Sequence, residues 1–259
     1  MIRPILKYYD IGVGVKAFSS TRKGGYSHGN YGEFNVNKYC GDDEACITKN
    51  RRALCDELDI NEERLIMPHQ NHGTEIRQIA PDFFNLPNVI QKQILEDVDG
   101  VMTNMMDVCV AVSTADCIPV LLYDNEHHAC AAVHAGWRGT VARILQRAVA
   151  VMKAAYKTNL EHLEVCIGPG ISLNAFEVGD EVWQKFAEAG FDMKSISKRY
   201  DKWHIDLWEC NRMQLIDIGV NPCNIQIANI CTYSNTDEFF SARQMSINSG
   251  RILTGILLK

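Results

Sequence analysis

Nowhere in these 259 residues is there an uninterrupted apolar stretch long enough to cross a bilayer. The opening residues Met1-Ile2-Arg3-Pro4-Ile5-Leu6-Lys7 also lack the apolar core of a secretion signal. The chain therefore reads as a soluble, unexported protein of the cytoplasm with no membrane partner. Positive charge is in deficit, with 26 lysines and arginines against 32 acidic residues and a net charge of −6. That balance gives a nucleic acid no general attraction and favours a small-molecule partner, while leaving room for a local basic pocket. Clustered cysteine is missing as well. The ten cysteines are scattered through a chain that is 46% hydrophobic, which fits buried thiols in a reducing compartment better than a disulfide scaffold. No internal repeat, low-complexity tract or linker divides the sequence, so one mixed α/β domain over residues 1–259 is expected.

Strand-length apolar runs occur at Val108–Val112, Ile118–Tyr123, Ala129–Val133, Leu163–Ile167 and Ile252–Leu258, and further strand-like stretches at 65–67, 74–79 and 225–230. Val13–Ser19 reads as a strand entering a Gly24-Gly25 loop. Helical spacing appears over Asp42–Leu58, from Thr140 as N-cap to Ala155, over Asp180–Ala189 and over Asp206–Ile218, with Gly190 and Gly219 closing the last two.

Three segments beside apolar runs carry candidate chemistry: His69-Gln70-Asn71-His72, Ala115-Asp116-Cys117 and Val133-His134 followed by Gly136-Trp137-Arg138-Gly139. Two imidazoles and one thiolate suit zinc, and three protein ligands leave a position open, as catalytic zinc sites do. His69 and His72 are three apart and point to opposite faces in extended chain. His72, beside Gly73, is taken as the ligand with Cys117 and His134, and His69 as a neighbouring or proton-transfer group. Asp116 orients a ligand imidazole, acts as general base, or caps a turn. Arg138 lies just before a helix N-terminus and suits an oxyanion, or a surface ion pair. Without metal, the same residues would make a cysteine hydrolase, with Cys117 as nucleophile and His134 as base.

Six segments together resemble one family: His69-Gln70-Asn71-His72-Gly73, Asp99-Gly100-Val101-Met102-Thr103, Thr114-Ala115-Asp116-Cys117-Ile118-Pro119-Val120, His134-Ala135-Gly136-Trp137-Arg138-Gly139, Phe176-Glu177-Val178-Gly179 and Cys231-Thr232-Tyr233. The chain is similar, from about Phe18 to Leu258, to the YfiH family, the laccase-domain proteins once described as multicopper polyphenol oxidases. That resemblance implies a single α/β domain with mixed sheets layered between helices, and zinc held at His72, Cys117 and His134. It implies purine nucleoside chemistry: phosphorolysis of adenosine, inosine, guanosine and methylthioadenosine, and hydrolytic deamination of adenosine. A bacterial branch is associated with correcting peptidoglycan precursors that carry serine in place of alanine.

Deamination would need water delivered to C6 of adenine, and phosphorolysis an anion site, for which Arg22, Arg138 and Arg243 are the candidates. The chain departs from its relatives at Asn174-Ala175-Phe176, where they often carry a cysteine, and at Ser241-Ala242-Arg243-Gln244, which keeps one arginine of a usual pair. A copper phenol oxidase is disfavoured by only eight histidines. A noncatalytic partner of cell-wall enzymes is disfavoured by the open coordination position.

Overall fold

The computed structural model describes residues 2–259. In chain order it runs β1 (Leu6–Tyr9), β2 (Val15–Ser20), α1 (Glu44–Leu58), β3 (Leu65–Ile66), β4 (Ile76–Gln78), α2 (Asn88–Ile94), β5 (Gly100–Thr103), β6 (Cys109–Thr114), β7 (Ile118–Asp124), β8 (Ala129–Ala135), α3 (Trp137–Val141) and α4 (Ile144–Tyr156). There follow β9 (Leu163–Ile167), β10 (Glu177–Val178), α5 (Asp180–Glu188), α6 (Met193–Ile196), β11 (Ser197–Arg199), β12 (Trp203–Ile205), α7 (Leu207–Asp217), β13 (Ile225–Ile227), α8 (Ala242–Met245) and β14 (Ile252–Leu258). No helix among the described residues is long and apolar enough to cross a membrane.

Two large mixed sheets carry the architecture, one ordered β1-β2-β14-β6-β3 and the other β13-β9-β7-β8-β5-β4. A small sheet, β10-β12-β11, stands apart. Period-two alternation decides what each strand face meets. Leu121 and Tyr123 of β7 and Cys130 and Ala132 of β8 point between the two large sheets, where they meet Val110, Val112 and Ile256. Val120, Leu122 and Val133 point the other way, onto Ile144, Leu145 and Met152 of α4 and Leu215 of α7. On the outer face of the five-stranded sheet, Phe18, Ala111 and Leu257 pack under Leu54 and Leu58 of α1. The layers are thus helices, sheet, sheet and helix, the arrangement of mixed sheets between helices that the resemblance implied. Both central strands β7 and β8 are buried along their whole length, which explains their continuous apolar sequence.

Local departures from the sequence reading have physical causes. Thr140 does not cap a helix. The helical segment opens at Trp137 with Gly136 as its cap, and Thr140 is buried inside α3, its hydroxyl accepting from Asn211 Nδ2 at 3.3 Å. Arg143, at φ 61°, then breaks α3 from α4. α1 begins at Glu44 rather than Asp42, because Asp43 caps it, accepting from the Cys46 N–H at 2.9 Å. The runs at 74–79 and 225–230 form strands of three residues each.

Candidate metal centre

His134 is the penultimate residue of β8 and shares the inward face of Cys130 and Ala132. Register brings the second donor beside it. Ile118 of β7 pairs with Ala135, so Cys117, one residue earlier in the bend between β6 and β7, lies across from Gly136. The third donor, His72, comes from the loop between β3 and β4. The ligand atoms of His72, Cys117 and His134 all lie within 4.8 Å of one another. The two imidazoles meet edge to face, with centroids 4.8 Å apart and planes at 79°.

Asp99, just before β5, holds this arrangement together and is fully buried. Its Oδ1 lies 2.6 Å from His134 Nδ1 and accepts the His72 N–H at 3.0 Å, while Oδ2 accepts the Gly73 N–H at 2.7 Å. Its own carbonyl accepts the His134 N–H at 2.7 Å. One carboxylate therefore fixes the ring of one donor and the backbone of another. His72 needs that support because it sits at φ 66°, in the left-handed region that costs a non-glycine residue about 1 kcal/mol or more. The left-handed backbone falls on His72 itself and not on the adjoining Gly73. The sequence reading offered Asp116 as the group orienting an imidazole, but Asp99 holds His134.

The electrostatics favour the metal-binding form of the sulfur. Burial pushes the Cys117 thiol up, but the charge and hydrogen bond of His134, followed by those of His72, outweigh it and bring the thiol down to about 6. Burial pulls His134 down, and the Cys117 charge together with the Asp99 hydrogen bond more than reverses this, raising it to about 9. The same His134 contact, with the Gly73 and Asn71 N–H groups, holds Asp99 below its ordinary value against its own burial.

Gly136 tests whether an ion fits. A Cβ at this position would lie 2.9 Å from His72 Cδ2, 3.3 Å from Cys117 Sγ and 3.5 Å from His134 Cε1. The three donors thus close around a residue that has no side chain. With His134 Nδ1 committed to Asp99, its Nε2 is left for a ligand, as in metal sites where a carboxylate fixes the tautomer. Two imidazoles and a depressed thiol form a site able to hold a borderline-soft metal ion.

These donors border a cavity of about 220 Å³ that His69, Thr114, Ile247 and Arg251 also line. His69 pairs through Nδ1 with Glu96 and stacks on Tyr39 at 4.1 Å between centroids. Gln70 braces the far wall, accepting the Ser113 N–H at 2.8 Å.

Asp116 sits in a neighbouring cavity of about 360 Å³ with Phe176 and Arg243, and the two cavities share Ala242 and Ile247. Asp116 adopts φ 87°, and both its carboxylate oxygens are engaged, one by the Thr232 hydroxyl at 2.7 Å and one by the Arg243 N–H at 2.7 Å. Arg22 and Arg138 line neither cavity. Arg22 donates to the carbonyls of Gly32 and Thr236, each at 2.8 Å, and Arg138 is exposed in the first turn of α3 with its guanidinium over Trp137. The sequence reading missed Asp99, Gly136, Thr114 and Arg251. Asp99, Gly136 and Thr114 stand in the segments that carried the resemblance, but only the register of β5 on β8, which brings Asp99 to His134, and the clearance at Gly136 reveal what the first two do.

A family model described as multi-copper polyphenol oxidoreductase laccase matches residues 16–259. The chain belongs to this family. It is 44% identical over 247 residues to a purine nucleoside phosphorylase of Bacteroides thetaiotaomicron, covering 94% of this chain and 92% of that one. It is 38% identical to adenosine deaminase RL5 of an unknown prokaryotic organism, covering 95% of each. Among solved structures, the hypothetical protein YfiH of Bacillus licheniformis superposes with a TM-score of 0.88 at 26% identity, covering 95% of this chain and 93% of that one.

Proposed function

We propose that this chain is a zinc-dependent purine nucleoside enzyme that carries out phosphorolysis of adenosine, inosine, guanosine and methylthioadenosine and hydrolytic deamination of adenosine. The observation that carries the reading is the convergence of His72, Cys117 and His134 beside a cavity, in a chain with relatives named purine nucleoside phosphorylase and adenosine deaminase. Zinc is the choice because a tetrahedral site with two nitrogens and one sulfur leaves a fourth position free. When bound, it would supply Lewis acidity and an open coordination position. A multicopper oxidase would need further ligand clusters, and among the described residues this is the one group of three or more donors. A cysteine hydrolase would need Cys117 and one histidine; the second histidine and the glycine beneath all three favour coordination.

The chain's own groups divide the remaining work. The metal cavity alone falls below the roughly 300 Å³ at which ordinary ligand sites begin, so a nucleoside would extend past Ala242 and Ile247 into the second cavity. Phe176 lines the second cavity and supplies apolar contact for a purine there. His69, whose Nδ1 is held by Glu96, has its Nε2 available to carry a proton to or from the purine. Asp116 acts through α8 as a positioning residue, fixing the Arg243 backbone, because both its oxygens already accept hydrogen bonds.

The test is incubation of the zinc-loaded protein with adenosine, with and without phosphate, and chromatographic separation of the products. Adenine that forms only with phosphate, and inosine that forms without it, are expected. Absence of all products from fully loaded protein would reject the nucleoside reading.

A further inference from the structure

The arginines singled out by sequence leave the metal cavity without an anion-binding group, since none of Arg22, Arg138 and Arg243 lines it. Arg251 does. It directly precedes β14, whose Ile252 pairs with Thr114, so the guanidinium-bearing residue and the end of β6 are neighbours across the sheet. Its Nη1 donates to the carbonyls of Ser249 at 2.7 Å and Gly250 at 3.0 Å, and its Nη2 to that of Ile247 at 3.0 Å. A guanidinium has five N–H bonds. Two are therefore left, on Nε and Nη2, with no protein acceptor among the described residues. No carboxylate forms an ion pair with Arg251 there either, in a residue that is half-buried. The cavity wall also contains a hydroxyl with nothing to bond. Thr114 Oγ1 belongs to a residue only 2% exposed and has no hydrogen-bond partner.

A buried hydroxyl without a partner is costly, a half-buried guanidinium with two free N–H groups is a ready anion donor, and one ligand with several acceptor oxygens satisfies both. The adjoining Ser113 hydroxyl is already committed, accepting from Asn37 Nδ2 at 2.6 Å. We propose that Arg251 and Thr114 form the site for inorganic phosphate, one wall away from the metal donors. This rests on the phosphorylase reading above and supplies its co-substrate position. Thr114 and Arg251 line the same cavity as His72, Cys117 and His134, so the bound anion and a nucleoside entering that cavity share one space. There a phosphate oxygen bonds to C1′ of the ribose as the C1′–N9 bond breaks. The bonding pair leaves with the purine, and the proton of monohydrogen phosphate ends on the departing base.

Inorganic phosphate titrated calorimetrically into the metal-loaded full-length protein tests the site. Two variants are compared with wild type. Thr114→Val removes a hydroxyl that bonds no protein atom, so folding is expected to survive, and Arg251→Lys keeps the charge while removing the fork. Each is expected to weaken phosphate binding about tenfold or more. In turnover the phosphate KM should rise by a similar factor and the adenosine KM by less.

Unchanged phosphate affinity in Thr114→Val and Arg251→Lys, or no phosphate binding by wild type, overturns the site. If wild type turns adenosine over while the variants keep full phosphate affinity, the site falls and the nucleoside reading stands. If the variants lose phosphate but no nucleoside reacts, the site stands and the nucleoside reading falls.

Discussion

Asp99 is the residue on which two of the three donors depend, which makes it the most informative single substitution. Asp99→Asn keeps the shape but removes the charge that accepts from His134 and from the backbone of residues 72 and 73. Loss of such a supporting carboxylate typically costs about 10- to 100-fold in metal affinity; competition with a chromophoric chelator should measure a drop of that order. The sign of the pH effect is also set. The Asp99 value is depressed in the fold, so its contribution is complete above the unfolded aspartate value of about 3.9 and is lost as pH falls through the lower folded value. Acid titration of metal-free protein, followed by circular dichroism, should therefore be shallower for Asp99→Asn than for wild type below about pH 4. Gly136→Ala separates crowding from backbone strain. Gly136 has an ordinary φ of −67°, yet its added methyl would lie 2.9 Å from His72. The expected outcome is protein that folds but carries well under half the wild-type metal, read by elemental analysis.

At the scale of elements, the loop that begins after β2 is tied to α1 through one buried amide. Asn50 accepts the Tyr26 N–H at 2.8 Å and donates to Asn35 O at 2.8 Å and to Ser27 Oγ at 3.0 Å. Asn50→Ala leaves the Tyr26 N–H and the Asn35 carbonyl without that partner and should cost about 2 kcal/mol or more by denaturant unfolding. The same scale explains what the sequence could disclose. Leu163–Ile167 and Ile252–Leu258 are strands at the bounds read from their apolar runs, because strands mostly buried on both faces leave a mainly apolar signal, broken here only by Glu164 and by Thr254-Gly255. β10, β11 and β12 went unread, since two or three residues carry no period. The Gly136-Trp137-Arg138-Gly139 segment hid a helical turn because two glycines mask helical spacing. Among the site residues, His72, Cys117 and His134 were legible because their side chains are rare and metal-binding. Asp99, Thr114 and Arg251 are common residue types whose roles depend on cross-strand register, and no linear pattern encodes that.

For the whole molecule, the layers share interior faces, with β7 and β8 packed on α4 through one face and on the five-stranded sheet through the other. We infer a single folding domain, for which circular dichroism and tryptophan fluorescence should report one coincident unfolding transition. The donors come from three separated stretches of chain, so an ion bound by all three is bound by the folded state alone. It should then add about 2.7 kcal/mol of stability at a free concentration 100 times its Kd, and excess chelator should lower Tm accordingly. The central claim is that His72, Cys117 and His134 hold one metal ion. Elemental analysis of the purified protein beside Cys117→Ala tests it most directly. One zinc per chain in the wild type, and little or none in the variant, is the predicted result. Several copper ions per chain, or equal zinc in both proteins, would contradict it.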